Sequence, residues 1–155
     1  MKVIYGIALV LVAVGVSFHV YSSRTLDIPR ATNTVTTTAE IPEDEIFSGG
    51  PGKDGIPSID NPQFAEVQGS QFVSDSDVVI GLEINGDARA YPLFILVWHE
   101  IVNDRVGDVP VAVTYCPLCY TNQVFERIIS GNEVEFGTSG KLYNSNLLMY
   151  DRWTE

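Results

Sequence analysis

Apolar and polar positions fall into three regimes along the chain. Residues 3–21 (VIYGIALVLVAVGVSFHVY) are free of acidic and basic side chains apart from His19, and they follow Lys2 directly. At about 1.5 Å per residue a helix of this length covers roughly 28 Å, close to the roughly 30 Å of a bilayer core. Residues 1–22 are therefore expected to be a membrane anchor. The rival is a cleaved signal segment, for which Val20 and Ser22 before Ser23 offer one loose cleavage site. Lys2 and the amino terminus would stay inside, so a single-pass cell-membrane protein with its body outside the cytoplasm is predicted, or a secreted one after cleavage. Residues 23–47 are rich in Thr, Ser and Pro, lack a sustained apolar period and end in Glu43, Asp44 and Glu45. Such a stretch cannot bury enough surface to offset its chain entropy and reads as an extended linker.

From Ser48 the pattern changes, and residues 48–155 are expected to form one domain. The Gly- and Pro-dense run GGPGKDGIPSIDNP predicts successive turns. Val78 to Ile84 and Ala88 to Leu93 alternate around Asn85-Gly86, the strongest short signal for a hairpin, because both residues tolerate positive φ. After Pro92 the apolar positions Ile95, Leu96, Trp98, Ile101 and Val102 suit a short helix with Pro92 near its first turn. Val109 to Cys116 is a nearly continuous β-branched run, the pattern of a strand covered on both faces. NQVFERII and EVEFGTSG predict a second hairpin around Ser130-Gly131-Asn132, and NLLMYDRW one more strand. The fold class predicted is mainly β (α+β): an N-terminal transmembrane or signal helix, then a small antiparallel β-rich domain with one short helix.

Charge narrows the partners. Nine Lys and Arg against twenty Asp and Glu leave a net charge of −11, which repels phosphate backbones, so nucleic-acid binding is excluded as an expectation. The membrane, through residues 3–21, and an envelope or membrane-complex protein are the partners that remain.

Only two cysteines are present, and they form one C-x-x-C, Cys116-Pro117-Leu118-Cys119. That spacing lets two sulfurs bond to each other or grip one metal ion. His99, beside Glu100, is the third candidate ligand, and a Cys/Cys/His set suits zinc or copper. A dithiol/disulfide redox centre and a structural disulfide are the other readings of the pair. The segment after Cys119 reads as a hairpin, so no helix N-terminus is expected to favour a thiolate. Asp75, Asp77, Glu83, Asp87, Glu100 and Asp104 are candidate acids and bases without a pairing visible in the sequence. GTSG around Ser139 does not match a nucleophile elbow. Tyr91, Trp98, Tyr115 and Tyr143 are expected in the core rather than around a pocket. The function expected is transition-metal binding or dithiol/disulfide redox through Cys116 and Cys119 with His99. The alternative is a non-catalytic interaction module, or an accessory subunit of a membrane complex, in which the cysteines staple a turn.

Five blocks in order, DGIPSIDNPQF (Asp54 to Phe64), GDARAYPL (Gly86 to Leu93), WHEIVND (Trp98 to Asp104), PVAVTYCPLC (Pro110 to Cys119) and FGTSGKLYNSNLLMYDR (Phe136 to Arg152), resemble the uncharacterised family known as domain of unknown function 3179. The resemblance implies a membrane-associated or extracytoplasmic prokaryotic domain and transfers no catalytic role. Family members usually continue past the YDR-x-TE segment, so the chain is expected to match the family's N-terminal part, with a missing C-terminal half as a further partner. Tyr120 departs from the small residue common at its position. With that half missing, an exposed strand near Asn146 to Trp153 would be left seeking a partner.

Overall fold

The computed structural model describes residues 41–155. The apolar segment 3–21, with its expected membrane or signal role, and most of the linker lie outside the described residues. Among the described residues no helix is long and apolar enough to cross a membrane. The body is mainly β with one short helix. Its elements are β1 (Phe47–Ser48), β2 (Ile59–Asp60), β3 (Val79–Ile84), β4 (Asp87–Pro92), α1 (Leu93–His99), β5 (Ile101–Val106), β6 (Val109–Cys116), β7 (Thr121–Glu126), β8 (Ile128–Ile129), β9 (Asn132–Glu133), β10 (Phe136–Tyr143) and β11 (Asn146–Asp151).

Four strands in the order β2-β5-β6-β7 form the central sheet. All its pairings are antiparallel except β2 with β5, which is parallel. The β-branched run predicted as a doubly covered strand is β6, buried from Pro110 through Cys116. Side chains alternate along a strand. Val111, Val113 and Tyr115 accordingly pack in one cluster with Tyr91 of β4 and Leu96 of α1, while Ala112 joins Ile101, Val134 and Phe136 in another. Two apolar layers, one on each face, explain why no polar residue interrupts the run before Thr114.

The β3–β4 hairpin forms as predicted, with Asn85 at φ 52° and Gly86 at φ 81°. A second tight turn, Gly107-Asp108 (φ 52° and 67°), joins β5 to β6 and nests against the first. Asn85 Nδ2 donates to the Gly107 carbonyl at 2.8 Å, and a Cβ at Gly107 would lie 2.1 Å from the Ile84 carbonyl oxygen. Only glycine fits there, for space as much as for φ.

Two expectations need correction. The helix after Pro92 stops at His99 because Glu100 takes φ 58°, ψ −35°. Ile101 and Val102, counted toward the helical period, instead begin β5, where β-branched residues pair with β6 along its full length. The second hairpin is confined to β8 and β9: β7 turns back onto β6, and β10 pairs with β11 and β1. The strand expected to be left seeking a partner, β11, pairs with β10 on one side and is half-buried; it ends its sheet, and its other edge has no strand beside it among the described residues.

Buried polar groups tie these layers together. The Arg127 guanidinium, 6% exposed, donates to the carbonyls of Val111 (2.9 Å), Asp104 (3.0 Å) and Val134. Buried Asn103 donates to Asp60 at 2.7 Å and to the Phe136 carbonyl at 2.8 Å, and its Oδ1 accepts from the Phe136 N–H at 2.9 Å. Such groups are tolerated inside because their hydrogen bonds are met.

Candidate functional site

The end of β6 carries Cys116 into the interior, and the four-residue turn Pro117–Tyr120 brings the chain back as β7, with Cys116 opposite Thr121. Tyr120 completes the turn at φ 53°. Cys116 and Cys119 are joined in a disulfide, with their Cα atoms 5.2 Å apart. The two sulfurs are not equivalent. Cys116 is fully buried, whereas Cys119 is half-buried and nearer the surface. The Cys119 backbone N–H points at Cys116 Sγ, 3.2 Å away, so negative charge on Cys116 would meet a fixed donor. Strand β7 comes directly after the motif, and among the described residues no helix N-terminus adds to that amide.

Around the disulfide the surface is apolar. Leu118 is 70% and Tyr120 77% exposed. The Tyr120 ring is held edge-on against Tyr115 at 6.3 Å. Thr121 Oγ1 anchors the base of the turn, lying 3.2 Å from the Ser145 carbonyl and 3.1 Å from Asn146 Oδ1 in the β10–β11 turn. Beyond it, β7 is the outer strand of the central sheet, exposed from Asn122 to Glu126. The Arg127 N–H reaches the Pro110 carbonyl of β6. Alternation then turns the N–H and C=O groups of Asn122, Val124 and Glu126 away from β6, toward the open edge.

His99, the third predicted ligand, ends α1. Its Nδ1 lies 2.8 Å from the Pro57 carbonyl oxygen. A carbonyl only accepts, so Nδ1 carries the proton and, in the neutral ring, Nε2 keeps its lone pair. Among the described residues no group of three or more His, Cys, Asp and Glu is arranged to hold a metal ion. Cys116 and Cys119 are thus brought together with each other, and His99 with Pro57.

Glu100 joins the helix to β5 beside this region, and its carbonyl accepts the Tyr115 N–H at 2.8 Å, one residue from Cys116. Burial holds its carboxyl above the usual range. The other candidate carboxylates scatter, with one exception. Asp87 and Asp104 share Arg89, whose Nη1 donates to Asp104 at 2.7 and 2.9 Å and whose Nη2 donates to Asp87 at 3.0 Å. Asp104 also accepts the Tyr91 hydroxyl at 2.7 Å. Burial first, and this carboxylate second, push the Tyr91 hydroxyl far above its ordinary range. Arg89, with the Gly107 N–H, holds the Asp87 carboxyl below its ordinary value. Sequence reasoning does not single out Arg89, since nothing local marks a strand arginine that reaches a carboxylate fifteen residues away. Tyr115 is in the core as expected; Tyr91 is buried in the core and also borders a cavity, whereas Trp98 is 74% exposed.

Comparison with known proteins adds a family and no activity. Residues 53–155 match the model of the family described as Protein of unknown function (DUF3179). No curated protein matches the chain, and no solved structure does.

Proposed function

The chain belongs to that DUF3179 family, and since the description carries no activity, we propose from the site itself that the domain performs thiol–disulfide exchange with cysteine-bearing polypeptides. In this reading it works outside the cytoplasm, held at the membrane through residues 3–21, where the surroundings keep the pair oxidised. The observation that carries the proposal is the unequal placement of the sulfurs, Cys119 toward solvent and Cys116 buried beneath the Cys119 N–H.

A substrate thiolate attacks Cys119 Sγ, the bond between the two protein sulfurs breaks, and Cys116 leaves as a thiolate that the amide stabilises. A second substrate thiolate then attacks the substrate sulfur and releases Cys119. The substrate loses two electrons and two protons as its disulfide forms, and Cys116 and Cys119 take up both. Reoxidation is the same exchange run with a more oxidising disulfide. Leu118, Tyr120 and the open edge of β7 give an extended polypeptide an apolar and hydrogen-bonding surface beside the reacting sulfur. The structural-staple alternative draws limited support from the loop, because a bridge across three residues constrains the unfolded chain less than one that closes a longer loop.

Trapping tests the assignment of roles. The Cys116→Ser protein should form a lasting mixed disulfide with a peptide carrying an activated disulfide, through Cys119, while Cys119→Ser should react about tenfold more slowly because its remaining thiol is buried. Equal reactivity of the two variants, or failure of the oxidised protein to oxidise a dithiol peptide, would discard the proposal. Metal binding is the second reading, favoured by one observation: the Pro57 carbonyl fixes His99 with Nε2 free, as partners of ligating histidines do. Near-stoichiometric zinc or copper in protein purified without chelator, lost in Cys116→Ser/Cys119→Ser and in His99→Ala, would replace exchange with that reading.

A further inference from the structure

The segment 61–78 contains no strand, yet it carries Phe64, Val67 and Phe72, which are 45%, 89% and 65% exposed. These side chains are not part of either core. With Tyr91 of β4, Leu96 of α1 and Val102 of β5 they bound a cavity of about 560 Å³. Cavities of roughly 300–1,000 Å³ with apolar and aromatic walls are the size that small organic ligands occupy.

One wall is already fixed. The Phe64 ring meets Tyr91 edge-on at 5.6 Å and lies under the Arg89 guanidinium at 4.7 Å. Arg89 is in turn held by Asp87 and Asp104, and Tyr91 by Asp104. The half-buried ion pair therefore positions an aromatic surface, and that surface loses little freedom when a ring packs on it. The floor, Leu96 and Val102, is fully or almost fully buried and offers no polar atom from its side chains. A buried hydroxyl at the cavity, that of Ser70, is without a partner among the described residues.

Charge selects further. Among the described residues Asp75 is the only charged side chain lining the cavity, and no Lys, Arg or His does. Arg89 is engaged by both Asp87 and Asp104, so among the described residues no cation is free to receive an anionic group there. A single exposed carboxylate at the wall is also too little to compensate a desolvated cation. We propose that this cavity is a binding site for a small neutral aromatic molecule bearing one hydrogen-bonding group, which stacks against Phe64, Phe72 and Tyr91 and engages the Ser70 hydroxyl. The site is separate from the disulfide and does not depend on its redox role.

The test uses the full chain in lipid nanodiscs and fluorine NMR of 5-fluoroindole, with indole, indene, indole-3-acetate and tryptamine as competitors. Saturable binding at one site is expected, with indole displacing the probe and the acetate anion and the ammonium cation about tenfold weaker. Phe72→Asp, at an exposed wall position, should weaken the probe about tenfold with Tm unchanged. Ser70→Ala should abolish an about fivefold preference for indole over indene while leaving indene unaffected. Absence of saturable binding to the wild-type chain overturns the proposal, as does binding that Phe72→Asp leaves intact. Binding seen only after removal of residues 1–40 would overturn it too, by assigning the cavity to the chain's own apolar segment. Unchanged binding in Cys116→Ser/Cys119→Ser is expected, so this site and the exchange reaction stand or fall separately.

Discussion

Reduction of the Cys116–Cys119 bond should leave the domain folded. The bond closes a loop of only four residues, counting both cysteines. The chain-entropy relation then assigns it about 6 cal/mol/K of unfolded-state restriction, or about 2 kcal/mol at 25 °C. The β6–β7 ladder, with Cys116 opposite Thr121, holds the same turn closed after reduction, so the native state gains little freedom to offset this loss. Unfolding entropy of about 2.1 cal/mol/K per residue, over the residues from 41 to 155, converts 2 kcal/mol into a drop of about 8 °C in Tm. The assay is urea and thermal unfolding of the full chain with and without a phosphine reductant, following tryptophan fluorescence and circular dichroism together. An unchanged m-value with a Tm lowered by no more than about 8 °C is expected. A loss above about 4 kcal/mol, or unfolding on reduction, would refute the reasoning. The pair would then be a structural staple, because an exchange centre must be folded in both redox states.

Other substitutions probe the polar framework around the sites. Arg127→Ala should be among the most destabilising single changes, at about 3 kcal/mol or more by chemical denaturation, because it removes three buried charge-assisted hydrogen bonds, to the carbonyls of Val111, Asp104 and Val134, and the packing of the side chain that makes them. Arg127→Lys should not rescue it, since one ammonium cannot reproduce the planar fork. Asp104→Ala should cost about 3 kcal/mol, as it removes the buried partner of Arg89 and of the Tyr91 hydroxyl. Glu100 ionises less readily in the folded chain than at its ordinary 4.5. Its protonated form therefore favours folding at low pH, and that contribution is lost as pH rises through the elevated folded value. Glu100→Gln should thus gain stability relative to wild type as pH increases from about 4.5 to 7, and a constant difference across that range in Tm would contradict the burial argument.

An exposed outer strand has a consequence for handling the protein. The outward N–H and C=O groups of β7 lie beside exposed Val124 and Phe125, a combination that templates strand pairing with other chains. Gln123 and Asn122 supply the edge with side-chain amides and only Glu126 with charge. Much of the protection against self-association therefore falls to the net charge of −11, and high salt, which screens it, should promote association.

Local chemistry wrote much of the fold into the chain. Asn85-Gly86 dictates a turn because both residues accept positive φ, and Pro92 opens a helix because its missing N–H costs nothing there. The β-branched run of β6 announces burial on both faces, and the C-x-x-C spacing announces that the two sulfurs can meet. These are short-range facts, carried by a few neighbouring residues. What they leave open is which distant segments pair. The start of β5 shares its apolar spacing with a helix, and only its ladder with β6 and the left-handed turn at Glu100 resolve the choice. The parallel pairing of β2 with β5 joins segments more than forty residues apart, sealed by Asn103 reaching Asp60 and Phe136. His99 is drawn to the Pro57 carbonyl, and Arg89 to Asp104, by the same long-range packing. No local propensity encodes such contacts, because their free energy comes from surfaces that touch only after the sheet has formed. The sulfur to face solvent is likewise set by the depth of β6 in the sheet, although both cysteines are plain in the sequence.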